Sequence, residues 1–217
     1  MTRLSIRGLS LIVACAAVAS SFTGIVAPSV QAQFSDSYNF LKNVRDRKGK
    51  EVEDALNEPG TVIVNTRDVS TGQTALHIVI ERRDTDWVGY LLAKGANSNQ
   101  ADKKGMTPLM LATQLGFVEG VATLFGSYAK IKTNVDATNR GGETALILAV
   151  HARNLEMVRT LLKYGANADK KDAVSGQSAR DYAAKDGRGN AILALIEANK
   201  KLADDKPKKD LDFSGIK

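Results

Sequence analysis

Gly72-Gln73-Thr74-Ala75-Leu76-His77 is the stretch that organises this chain, because it returns at regular distances. Gly105-Met106-Thr107-Pro108-Leu109-Met110 and Gly142-Glu143-Thr144-Ala145-Leu146-Ile147 are copies, and Gly176-Gln177-Ser178-Ala179-Arg180-Asp181 is a degenerate fourth. The hydroxyl residues Thr74, Thr107, Thr144 and Ser178 are spaced by 33, 37 and 34 residues. A second motif keeps step with the first: Leu91, Leu92, Gly95, Ala96 and Asn97 follow Thr74 at the distance at which Leu161, Leu162, Gly165, Ala166 and Asn167 follow Thr144. Two motifs held in one register over this period define a repeat protein.

Each unit reads as two short helices. Thr or Ser is a good N-cap, since its side-chain oxygen accepts from a backbone N–H that has no partner in the first turn. Pro108 follows such a cap, where a missing N–H costs nothing. Helix A therefore starts at these hydroxyls. Helix B carries Trp87, Val88, Leu91 and Leu92 in one copy and Met157, Val158, Leu161 and Leu162 in another, an apolar face at i, i+1, i+4 and i+5 that has to pack on neighbours. That pattern places Trp87 in the core. Gly95 and Gly165 stand where a left-handed cap ends the helix, with Asn199 in the matching place of the last copy.

The repeat resembles the ankyrin family in its period and its T-P-L-H-type helix start, and the resemblance runs from about Ser35 to about Lys201. It implies an all-α solenoid of about five helix-turn-helix repeats: a loose N-terminal cap over 34–65, then 66–98, 99–135, 136–168, and a C-terminal cap over 169–201. Atypical outer repeats suit an open stack, whose ends face water. The chain departs from the family pattern at several points. Only the Gly72–His77 copy has the histidine; Met110, Ile147 and Asp181 replace it. Val79 and Ile80 stand where small alanines are usual. Tyr128 takes a glycine position and four extra residues precede Thr144, so Gly126 is expected to end its helix early and 127–142 to form a long loop.

The first thirty-two residues have a different character: Arg3 and Arg7, an apolar run from Leu9 to Ala19, and no acidic residue before Asp36. This is the layout of a secretory signal peptide, with small residues around Val30-Gln31-Ala32 that predict cleavage after Ala32 and export to a bacterial periplasm. Retention of the apolar segment as an anchor, or acylation of Cys15 in the lipobox-like Ile12-Val13-Ala14-Cys15, are the routes by which the chain would attach to a membrane. Cys15 is the only cysteine among the 217 residues, so the mature chain has no disulfide and relies on packing. The formal charge of +6 falls by two, to +4, without Arg3 and Arg7. Beyond 201, residues 202–217 mix lysines and aspartates around Pro207, the composition of a solvated tail.

Nothing in the sequence has the pattern of a catalytic centre. His77 and His151 are the only histidines, and neither has a histidine at i+3 or i+4 to share a metal. The glycines punctuate helix ends rather than forming a phosphate-binding loop. The reading is of a non-enzyme without cofactor or metal. The ankyrin resemblance implies instead a partner protein bound at the loop tips and on the exposed side of helix A. On this sequence the tips are Arg67 and Asp68; Asp102, Lys103 and Lys104; Asn139 and Arg140; and Lys170 and Lys171. Arg82, Arg83, Gln114, Leu115, His151 and Arg153 lie on or just after helix A, with Leu115 as the apolar anchor. Basic tips suit a partner with an acidic surface. The alternatives are an inhibitor or toxin-neutralising role, and a basic surface for nucleic acid or anionic membrane. Mild charge and few aromatics count against nucleic acid.

Overall fold

The computed structural model describes residues 30–187 and 190–204. Ten helices are found among these residues: α1 (Val30–Arg45), α2 (Gly49–Asn57), α3 (Ala75–Glu81), α4 (Thr85–Ala93), α5 (Pro108–Gln114), α6 (Val118–Leu124), α7 (Ala145–His151), α8 (Leu155–Lys163), α9 (Ala179–Lys185) and α10 (Asn190–Asp204). They pair in chain order, α1 with α2 through α9 with α10, giving five helix pairs. Helices α1, α3, α5, α7 and α9 pack side by side as one layer, and α4, α6, α8 and α10 do so in the second. Among the described residues the only β pairing is two isolated bridges, Thr138 with Thr144 and Lys171 with Ser178.

The hydroxyl caps do what their residue type dictates. Thr107, Thr144 and Ser178 accept from the N–H groups of Met110, Ile147 and Asp181. At Thr74 the third helical residue also reaches back. The Thr74 N–H donates to Nδ1 of His77 at 3.1 Å, and His77 Nε2 lies 2.9 Å from the Met106 carbonyl. A carbonyl only accepts, so the proton is on Nε2 and the ring is neutral. Thus His77 ties one repeat to the next from a fully buried position. Asp181 takes over the near half of this role in the last repeat, accepting from the Ser178 N–H and hydroxyl at 2.9 and 2.8 Å.

The core runs unbroken through the stack. Leu76, Leu109 and Leu146, two residues past their caps, are at most 1% exposed. Arg180 holds the equivalent place in α9, beyond which no further helix pair stands among the described residues, and its side chain turns to Asp169 and Glu197. In helix B, Val88, Leu91, Leu92, Met157, Val158, Leu161 and Leu162 are buried as the pattern requires. Trp87 is different: it packs on the core but stays half-buried, with Arg82 over its ring. Its free side looks towards the start of α2, where Gly49 and Glu53 offer it no apolar side chain to pack on.

The irregular third repeat follows from its sequence. α6 has 7 residues where α4 and α8 have 9, and Gly126 closes the turn just after it. Phe117 replaces the polar N-caps Asp84 and Asn154, and its ring lies where a side chain on Gly120 would be. The 127–142 loop is held by Thr133, a buried residue whose hydroxyl donates to the Leu124 carbonyl at 2.7 Å. Along the stack runs a relay of amide and carboxylate oxygens. Asn65 accepts from the Asn97 N–H at 2.7 Å, Asn99 from Asn134 at 2.7 Å, and Asp136 from Asn167 at 2.8 Å. Within repeats, Asn97 and Asn134 accept from the N–H groups two residues on.

Two sequence expectations are corrected at the end of the chain. Asn199 does not end a helix, since α10 continues to Asp204, and the helical structure passes residue 201. The predicted leader up to residue 29, Cys15 included, and the tail from 205 onward lie outside the described residues; the predicted cleavage point falls within the first turn of α1. Among the described residues no helix is long and apolar enough to cross a membrane, and no group of three or more His, Cys, Asp or Glu could hold a metal ion.

Candidate partner-binding surface

The tips between repeats are tight turns, each closed by one short acidic or amide side chain. Asp68 accepts from the N–H groups of Ser70 and Thr71, both at 2.9 Å, and Asp102 from those of Lys104 and Met106 at 2.8 and 2.9 Å. Asn139 does the same for Gly141 and Glu143, and Asp172 for Val174 and Ser175. Asp68, Asp102 and Asn139, expected to meet a partner, are thus engaged with their own backbone, because an Asx side chain satisfies turn amides better than water can.

The basic residues divide into two groups. Arg67 donates to the Ala101 carbonyl of the next tip, Lys103 to that of Val69, and Lys170 to that of Asp136 at 2.7 Å. Arg82 reaches the Val44 carbonyl and Asp84, tying α3 to the first repeat. Arg83 and Arg153 stand just beyond the C-caps of α3 and α7 with φ of 55° and 52°. That left-handed turn throws each side chain across to the next repeat: Arg83 donates to the Leu115 carbonyl, and Arg153 makes a two-pronged bridge to Asp186 at 2.6 and 3.1 Å. These six residues brace the stack. Lys104, Arg140 and Lys171 are the exposed tip cations whose side chains make no hydrogen bond or ion pair among the described residues.

On the exposed side of the first layer the seventh residue after each cap comes forward, and so does the fourth after Thr107, Thr144 and Ser178, whereas Ile78, the fourth after Thr74, is buried. Leu111, Leu148 and Tyr182 are half-buried in a row, flanked by exposed Gln114 and His151. Leu115 is not a free anchor: it is the C-cap of α5, half-buried and packed on the core. His151 stands edge-on to the Tyr182 ring, centroids 4.3 Å apart, with Nδ1 3.6 Å from Glu143 Oε1. The Tyr182 hydroxyl donates to Asp172 at 2.7 Å, and the Asn139 amide to Glu143 at 2.8 Å. Glu143, Leu111, Leu148 and Tyr182 were not singled out from the sequence. Counting four and seven residues from each cap finds all but Glu143.

Two groups of titrating residues make stability depend on pH in separate windows. Burial pushes the His77 pKa down. The unfolded chain takes up that proton below about pH 6.5 and the folded chain does not, so stability falls as pH drops from there. Asp68 is held well below the usual carboxylate range by the Ser70 hydroxyl and the Thr71 N–H, and Asp172 by the Ser175 N–H and the Tyr182 hydroxyl. Their contribution is complete above about pH 4 and is lost as pH falls below it. Urea midpoints measured across pH are expected to decline in two steps. The Asp68→Asn, Asp172→Asn variant folds, because Asn139 already closes such a turn, and its acid step is shallower; an unchanged acid step would contradict the assignment.

The family model for ankyrin repeats (three copies) matches residues 49–135 and 128–206. The chain therefore belongs to the ankyrin-repeat family, whose fold is a protein-interaction module. The human transient receptor potential cation channel subfamily A member 1 is 35% identical over 99 residues, covering 46% of this chain and 9% of that protein. The mouse B-cell lymphoma 3 protein homolog is 30% identical over 124 residues, 57% of this chain and 28% of that one. The chicken nuclear factor NF-kappa-B p105 subunit is 29% identical over 117 residues, 54% and 12% respectively. The chain thus spans less than a third of the length of each of these relatives.

Proposed function

We propose that this chain is a non-catalytic binder exported to the periplasm of a bacterium, where it holds and protects or regulates one protein partner. The supporting observation is the face formed by Leu111, Leu148 and Tyr182 together with Lys104, Arg140 and Lys171, three exposed cations whose side chains make no hydrogen bond or ion pair among the described residues. Half-buried apolar side chains give such a contact its desolvated centre, and unpaired cations at the rim steer an acidic partner towards it. Charged tips also serve solubility, so the partner has to depend on these particular residues. The test is a crosslinked pull-down of the tagged mature chain from periplasmic extract, beside a variant with Lys104, Arg140 and Lys171 changed to Glu. One protein is expected to be captured by the wild type and lost by the variant, with thermal melting unchanged. Equal capture by both would place the contact elsewhere, and retention of nucleic acid or anionic lipid alone would overturn the reading.

A further inference from the structure

Between the start of α2 and the first turns of α4 the surface forms a groove of about 310 Å³, lined by Gly49, Glu53, Asp86, Trp87 and Tyr90. Neither helix carries any of the tip cations. The groove has two aromatic rings, two carboxylates and one residue without a side chain. Trp87 and Tyr90 meet edge to face, centroids 6.4 Å apart and planes at 69°, so the pair offers ring surface in two directions. Glu53 and Asp86 are exposed and have no ion-pair partner among the described residues. The Tyr90 hydroxyl is shielded from solvent and has no hydrogen-bond partner there either. Burial, and then the Glu53 charge, keep that phenol protonated, so it adds no charge of its own.

Each ring already attracts one of the chain's own cations. The Arg82 guanidinium lies 5.3 Å from the Trp87 centroid and the Lys94 ammonium 5.6 Å from that of Tyr90. Both cations are outside the groove lining and are held elsewhere, Arg82 by the Val44 carbonyl and Lys94 by Asn57 at 2.7 Å. A groove with two ring surfaces and two unpaired carboxylates selects positive charge by quadrupole and by Coulomb attraction together. Two carboxylates alone make a weak metal site, and no group of three or more His, Cys, Asp or Glu that could hold a metal ion is found among the described residues. An organic cation sheds its weakly held water readily and gains the rings.

We infer that the groove is a binding site for an organic cation, a quaternary ammonium or a guanidinium head, seated against Trp87 and Tyr90 between the carboxylates of Glu53 and Asp86. The site is independent of the partner face proposed above, and its failure would leave that reading untouched. Trp87 is the single tryptophan of the chain, so its fluorescence reports on this groove alone. The intact protein is titrated with choline, with acetyl-arginine amide, and with 3,3-dimethylbutanol as the uncharged isostere of choline. The expected result is a saturable change with a millimolar midpoint for at least one cation, no such change with the alcohol, and a midpoint weakened about tenfold in the Glu53→Gln, Asp86→Asn variant. Melting temperature and circular dichroism establish that this variant is folded, as two exposed, unbonded carboxylates predict. Saturation by choline identifies a small free ligand, and saturation by the arginine amide alone identifies the side chain of another protein. No saturable change with either cation, an equal response to the alcohol, or an unaltered midpoint in the variant would each overturn the assignment.

Discussion

Leu109→Ala is expected to cost about 2 to 5 kcal/mol of folding stability, measured as a shift of the urea midpoint at unchanged slope. Leu109 is 1% exposed, and α5 packs at once on α3, α6 and α7. Truncation there removes apolar contact with three helices, and none of the three can move in without leaving its other neighbours. The same change at Leu56, half-buried in the outer α2, should cost less, since one side of that helix faces water. A loss at Leu109 below about 0.5 kcal/mol, the scale of an ordinary surface change, would show that the central repeats do not bear the stack's stability.

The architecture was legible because repetition supplies its own check. Thr74, Thr107, Thr144 and Ser178 predicted four helix starts, and the structure begins a helix one residue after each. The caps at these positions act through local hydrogen bonds, so their chemistry can be read without knowing the tertiary fold. Trp87 marks the limit of that reading. Periodicity assigns it to a buried face, but how deeply it is buried depends on which side chains α2 sets opposite it, and α2 belongs to an atypical repeat. Asn199 marks another: a residue that favours a stop does not compel one, and α10 runs past it to Asp204.

The candidate site was legible only as a region. Arg67, Arg82, Arg83, Lys103, Arg153 and Lys170 share composition and position with Lys104, Arg140 and Lys171, and nothing in their residue type separates the two groups. The separation comes from what lies about one repeat away. A carbonyl or carboxylate at that distance turns an arginine into a brace between repeats, as Asp186 does for Arg153 and the Ala101 carbonyl for Arg67. The Asx residues follow the same logic at shorter range, where turn amides claim the side chain first. The remaining surface is defined by exclusion: three cations whose side chains make no hydrogen bond or ion pair among the described residues, beside a row of side chains whose outer faces stay open.

The tips also provide the sharpest test that neighbouring repeats bear on one another. Gly142 has φ of 78°, and a Cβ placed there would lie 2.3 Å from the Ala173 backbone nitrogen. That nitrogen donates to the Gly141 carbonyl at 2.9 Å, so the two tips are joined through backbone and cannot give way by a rotamer change. Gly142→Val is therefore expected to cost about 2 to 5 kcal/mol, from left-handed strain and overpacking combined. Gly176 has φ of 65° in the equivalent turn of the last repeat, with nothing within 4 Å of a built Cβ. Gly176→Val bears the strain alone and should cost about 1 to 2 kcal/mol. The difference between the two variants isolates the tip-to-tip contact, since both change the same residue type in the same backbone conformation. Equal losses in chemical denaturation would mean that the tips do not touch in solution, and that the cations on neighbouring tips are not held at fixed distances.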